Sequence, residues 1–195
     1  MTKGEFSLLL NDVRDCRLCE KHLPHGVRPV LQADPRARIL IAGQAPGRGV
    51  HASGVPFDDA SGERLRDWMG IDRDTFYDAS KVAILPMGFC YPGKGRSGDL
   101  PPRPECAPAW REKLLDGLEN IALTLVIGQY AHAWHLPDTY RTLTETVKHW
   151  KNYAPSLVPL PHPSPRNNIW LKKNPWFSRE LQPHLARSVR KALTT

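Results

Sequence analysis

Apolar residues fall into two rhythms along this chain. From Glu5 to Arg17 they recur at helical intervals, which predicts a helix ending near the first cysteines. Four short runs are instead continuously apolar and rich in branched side chains: RILIAG (38–43), KVAILPMGF (81–89), NIALTLVIG (120–128) and SLVPLP (156–161). Runs of that length bounded by Gly or Pro predict buried strands. Between them, residues 61–69 and PECAPAWREKLLDGLE (104–119) return to a helical period, with Ser61 a possible N-cap of the former. Buried strands alternating with helices predict an α/β fold, a three-layer α/β/α sandwich around a central four-stranded parallel sheet.

Such sheets place ligands at the carboxyl ends of their strands. Three strand ends here lead into unusual loops: Gly43 into QAPGRG, Phe89 into CYPGKG and Leu160 into PHPSPRN. The first of these extends through GQAPGRGVHASGVPFDDASG (43–62). Its glycines permit close backbone approach, but it carries neither G-x-x-x-x-G-K-[ST] nor G-x-G-x-x-G, which argues against a nucleotide-binding loop of those types. Phe57 is either a stacking platform for a flat ligand or a loop anchor in the core. Asp58 and Asp59 are either caps for the following helix or carboxylates that orient water beside a ligand. In the third loop, Pro161 and Pro163 restrict the backbone on both sides of His162. Arg166, Asn167 and Asn168 follow, as phosphate contacts or as parts of a solvated turn.

Composition narrows the class. The 195 residues are 41% hydrophobic and 24% charged, as expected of one domain spanning 1–195. No apolar run approaches the roughly 18 to 20 residues that cross a bilayer, and the N-terminus is too polar for a secretory signal, so a cytoplasmic, membrane-free protein is expected. The net charge of +7 makes a polyanionic partner plausible. Four cysteines without an export signal point to metal, cluster or redox chemistry rather than disulfides. Cys16 and Cys19 form C-x2-C, whereas Cys90 and Cys106 lie far downstream and far apart. A zinc site usually repeats a tight pair, so the spacing favours an iron–sulfur cluster, with ordinary buried thiols as the bland reading.

Together these residues resemble the uracil-DNA glycosylase superfamily. GQAPG (43–47) resembles its first motif, and HPSPRN (162–167) its second, in the form of the single-strand-selective monofunctional branch. The cysteine pattern resembles the iron–sulfur branches, families 4 and 5, and GVPFDDASG is similar to the family 5 loop. The resemblance implies a monofunctional DNA glycosylase that flips uracil, with other deaminated bases as further candidate substrates, out of DNA and hydrolyses the glycosidic bond, acting as a monomer that joins the nucleoid when bound. It implies a 4Fe-4S cluster on Cys16, Cys19, Cys90 and Cys106. Asp59 and His162 would be catalytic, with Asp58 a rival to Asp59. Gly43, Gln44, Ala45, Phe57 and Ala83 would hold the base; Ser164, Pro165, Arg166 and Asn167 would meet DNA, with Lys94, Arg96 and Arg103 as further phosphate contacts. Ala45 replaces the aspartate or asparagine of other branches, and Ala83 stands where several have a base-reading asparagine. That departure keeps a damage-binding protein with weak turnover as the alternative, and an iron–sulfur redox protein as a third.

Overall fold

The computed structural model describes residues 1–194. Four strands, β1 (Ile39–Ala42), β2 (Val82–Ile84), β3 (Leu123–Ile127) and β4 (Leu157–Leu160), form an all-parallel sheet in the order β2-β1-β3-β4. The register pairs Ile39 with both Val82 and Leu123, and Thr124 with Leu157. Successive side chains of a strand face opposite ways, and both faces here are covered. Ile39, Ile41, Leu125 and Val158 pack beneath α3 (Ala60–Met69) and α9 (Gln182–Thr194). Leu40 and Ala83 pack on the other face with Phe6, Leu10 and Val13 of α1 (Lys3–Arg14) and Leu114 of α5 (Cys106–Asp116). Each large aliphatic side chain buried this way contributes about 1.5–3 kcal/mol. The expected three-layer sandwich is therefore the observed one.

Element ends differ from the periodicity where local chemistry overrides it. The first helix begins earlier, because Thr2 and Glu5 form a reciprocal capping box, and stops at Arg14, two residues before Cys16. The N-cap of α3 is Asp59 rather than Ser61: the Asp59 carboxylate accepts from the Gly62 N–H at 2.9 Å. The second apolar run supplies only three strand residues, since Pro86 ends the ladder. Its continuation nevertheless stays bound to the loop after β1, with Met87 N–H donating to the Gly43 carbonyl at 2.8 Å and Gly88 N–H to that of Gln44 at 3.0 Å.

The chain turns from β1 to β2 on one side and from β3 to β4 on the other. The crevice between the carboxyl ends of β1 and β3 is thus the topological switch point where such sheets bind ligands. No helix among the described residues is long and apolar enough to cross a membrane.

Candidate active site

At that crevice the loops following β1, β2 and β4 enclose a cavity of about 440 Å³. The β1 loop supplies Gly43, Gln44, Ala45, Phe57 and Asp59; the region after β4 supplies His162, Ser164 and Arg166.

Phe57 adopts φ 55°, making it the one residue other than glycine with positive φ among the described residues. A bulky side chain there costs on the order of 1–3 kcal/mol, so its surroundings must impose the conformation. They do so from several sides. Tyr77 Oη donates to the Pro56 carbonyl at 3.0 Å, and Phe76 meets the Phe57 ring edge-on at 6.2 Å. Gly62 passes so close that a Cβ there would collide with the Phe57 carbonyl. The ring consequently lies against Gly43, where an added Cβ would stand 3.6 Å from it, at the cavity wall. Phe57 packs against the core, as a loop anchor does, and its ring also lines the cavity.

The two aspartates separate. Asp58 pairs with Arg73 at 3.0 Å, outside the cavity lining. Asp59 lines it, and one carboxylate oxygen caps α3. The cap orients the group and leaves its second oxygen for a ligand.

His162 is equally constrained. Ser164 N–H donates to its Nδ1 at 3.2 Å, so in the neutral ring the proton sits on Nε2. Burial pushes its pKa below the ordinary histidine value, against the opposing fields of Asp59 and Asp99. The loop carries a neutral imidazole with a donor to offer. Asn167 is not in the cavity; its Nδ2 donates to the His162 carbonyl at 2.7 Å and locks the turn. Pro165 opens a short 3-10 turn and likewise lies off the cavity. Arg166 reaches the cavity from an exposed position.

One expectation is corrected. Ala83 is fully buried in the layer beneath α1 and α5, because strand alternation turns it away from the site. The β2 end presents Ile84 and Pro86 to the cavity instead, which offer no side-chain hydrogen bond. Arg103 pairs with Glu105 at 2.6 Å beside the cysteines. Lys94 does line the cavity.

Other residues escaped the sequence reading. Asp99 is a second carboxylate on the cavity wall, fixed by Tyr91 Oη at 3.3 Å and by a bridge between the backbones of Lys94 and Asp99. Arg64, on α3, donates to the Ser164 carbonyl at 2.9 Å and to Asn168 Oδ1 at 2.7 Å, tying the helix capped by Asp59 to the His162 loop. The Asp99 finger lay in a Gly/Pro-rich stretch without periodicity. The helical phase of Arg64 was visible, but not its partner 100 residues away.

A second, smaller pocket is lined by all four cysteines together with Val13, Phe89 and Arg103. Trp110 Nε1 donates to Cys16 Sγ at 3.2 Å and Phe89 N–H to Cys106 Sγ at 3.4 Å. Burial raises the Cys90 and Cys106 thiols to about 11 and about 12, and neighbouring cysteines add to the effect. No group of three or more His, Cys, Asp or Glu among the described residues is gathered to hold a metal ion.

At the carboxyl end of the parallel sheet, an aromatic ring, a capped carboxylate and an imidazole thus share one cavity. The family model of the uracil DNA glycosylase superfamily matches residues 31–186. The chain belongs to that superfamily, and is by class a DNA glycosylase. The match begins beyond Cys16 and Cys19, so it carries no information about that pair.

Proposed function

We propose that this protein hydrolyses the N-glycosidic bond of a deaminated base, uracil foremost, flipped out of DNA. The observation that carries the reading is the convergence of Phe57, Asp59 and His162, from loops a hundred residues apart, on one cavity with both polar groups held by backbone partners.

A flipped base stacks on Phe57 with its edge toward Gln44. As the bond to the sugar lengthens, positive charge grows on the sugar and negative charge on the base. The uncapped oxygen of Asp59 stabilises the former and orients the attacking water; the Nε2–H of His162 donates to a base oxygen as charge arrives there. Arg64 keeps these two groups in register through the Ser164 carbonyl. Arg166 and Lys94 meet the phosphates or the gap left by the flipped nucleotide. Ile84 and Pro86 at the base edge impose no side-chain amide readout, which supports tolerance of more than one deaminated base.

The thiol pocket fits a 4Fe-4S cluster better than a single ion: the donors are all sulfur, and two receive N–H bonds of the kind that tune cluster sulfurs. Cys16, Cys19, Cys90 and Cys106 would hold it. The group supplies a cross-link, since this hydrolysis transfers no electrons. It ties the segment after α1 to the β2 loop and α5.

Incubating iron-replete protein with single- and double-stranded oligonucleotides carrying uracil, hypoxanthine or xanthine, then scoring alkali-labile sites, tests the activity. Cleavage at uracil is expected. Absence of cleavage with every substrate removes the enzyme reading, and tight uracil-DNA binding without cleavage replaces it with damage recognition.

A further inference from the structure

Beneath the active site lies a cation that the catalytic residues do not touch. Arg111, on α5, is 0% exposed. Arginine is almost never fully buried without an ionic partner, because an unpaired charge costs several kcal/mol to desolvate. None of the described carboxylates pairs with it. Its guanidinium donates to the Leu85 carbonyl at 3.0 and 3.1 Å, to the Pro86 carbonyl at 3.0 Å and to His135 Nε2 at 2.9 and 2.6 Å. Arginine only donates, so Nε2 of His135 is the acceptor and that ring is neutral. Burial lowers the pKa of Arg111 to about 10 and that of His135 to about 3. At neutral pH the site therefore holds a net positive charge with only dipoles around it.

Those dipoles lead toward the cavity. In a trans peptide the C=O and N–H point opposite ways. The peptide joining Pro86 to Met87 receives Arg111 at its oxygen and donates from Met87 N–H to the Gly43 carbonyl at 2.8 Å. The next peptide in line, Gly43–Gln44, then turns the Gln44 N–H away from that bond, and Gln44 lines the cavity. Hydrogen-bonded peptides in series polarise one another in a low-dielectric interior.

We infer that Arg111 is a positioning residue for catalysis, its buried charge acting through the Pro86–Met87 and Gly43–Gln44 peptides to strengthen the Gln44 N–H as a donor to the anionic leaving base. The inference rests on the base-release reading above and assigns a role within it. It also accounts for retention of a buried charge where a methionine of similar length would cost less.

Two measurements test it together. The first is single-turnover release of uracil and of 5-fluorouracil, a more acidic and hence better leaving base, by wild type, Arg111→Met and Arg111→Lys. Arg111→Met should slow uracil release roughly 10- to 100-fold, less than the roughly 100- to 1000-fold of losing a donor in direct contact because Arg111 acts through two peptides, and 5-fluorouracil release distinctly less. Arg111→Lys should recover part of both. The second is the amide proton resonance of Gln44, which should move upfield in Arg111→Met and return toward wild type in Arg111→Lys. Equal slowing with both bases and an unmoved Gln44 resonance would leave Arg111 as a purely structural residue and overturn the inference. If wild type releases neither base, the base-release reading fails, and with it the role assigned to Arg111, whatever the Gln44 resonance shows.

Discussion

The segment from Pro86 to Cys106 borders two cavities of opposite character. Toward the sheet end it contributes Pro86, Tyr91, Lys94 and Asp99 to a polar cleft; toward α1 it contributes Phe89, Cys90 and Cys106 to an apolar pocket. In the cleft, Asp59 and His162 are each fixed by a backbone partner. In the pocket, burial drives Cys90 and Cys106 toward their neutral thiols, while Phe89 N–H donates to Cys106 and Trp110 Nε1 to Cys16. The first is preorganised by the fold. A group bound in the second would take up thiolates, since a coordinating metal deprotonates its thiols outright.

The largest expected effect comes from the preorganised side. Asp59→Asn should keep most of the α3 cap, because asparagine caps as well as aspartate, while removing the negative charge. Base release should fall by roughly 100- to 1000-fold, the scale of losing one aimed electrostatic contact. Asp58→Asn loses only the exposed pair with Arg73, typically worth about 0–1 kcal/mol, and should leave the rate near wild type. Single-turnover kinetics with a melting curve for each variant checks both. Equal losses in the two would show that the loop as a whole, rather than the cavity-facing carboxylate, carries the chemistry.

The next effect belongs to the other pocket. Cys106→Ser should abolish stoichiometric iron and visible absorbance and lower the melting temperature. Base release should decline with the folded fraction rather than independently of it. Iron analysis, absorbance and activity on one preparation suffice. Full activity at an unchanged melting temperature would show that the thiol pocket needs no cross-link and that the contrast between the two regions is only one of polarity.

How much of this was legible in the sequence follows the range of the forces involved. The four strands and the helices α1, α3 and α5 were legible because apolar periodicity is local; α9 was not among them. His162 was legible because its prolines flank it, and Asp59 because a cap stands next to its helix. Asp99, Arg64 and Arg111 were not. Each acts through a partner brought near only by the fold: Asp99 through the cavity it shares with Gly47, Arg64 through Ser164, Arg111 through two carbonyls past the end of β2. Ala83 shows the converse error. Matching motif positions put it at the base, whereas the alternation of β2 turns it toward α1 and α5 and leaves Ile84 facing the site. The alternation was readable; the register that decides which face meets the ligand was not.

The smallest effect separates the imidazole from the carboxylate within the cleft. The mechanism uses neutral His162 as a donor, and burial places its pKa below the ordinary value of about 6.5. The sign follows: a depressed pKa keeps the ring neutral as pH falls through the usual histidine range, and the active form is lost only below it. An unperturbed imidazole would be roughly three-quarters protonated at pH 6, so a rate that needs the neutral form would drop about fourfold from its value well above neutrality. The expected drop at pH 6 is smaller than that, with the decline displaced to more acid conditions. The same depression makes folding acid-sensitive, because the unfolded chain takes up a proton that folded His162 refuses; stability is therefore full above the unfolded pKa and falls below it. A pH–rate profile taken alongside melting temperatures separates the two. If the rate instead rises as pH falls toward 6, the protonated ring is the active form. The two polar groups of the cleft would then be an ion pair rather than a carboxylate and a neutral donor.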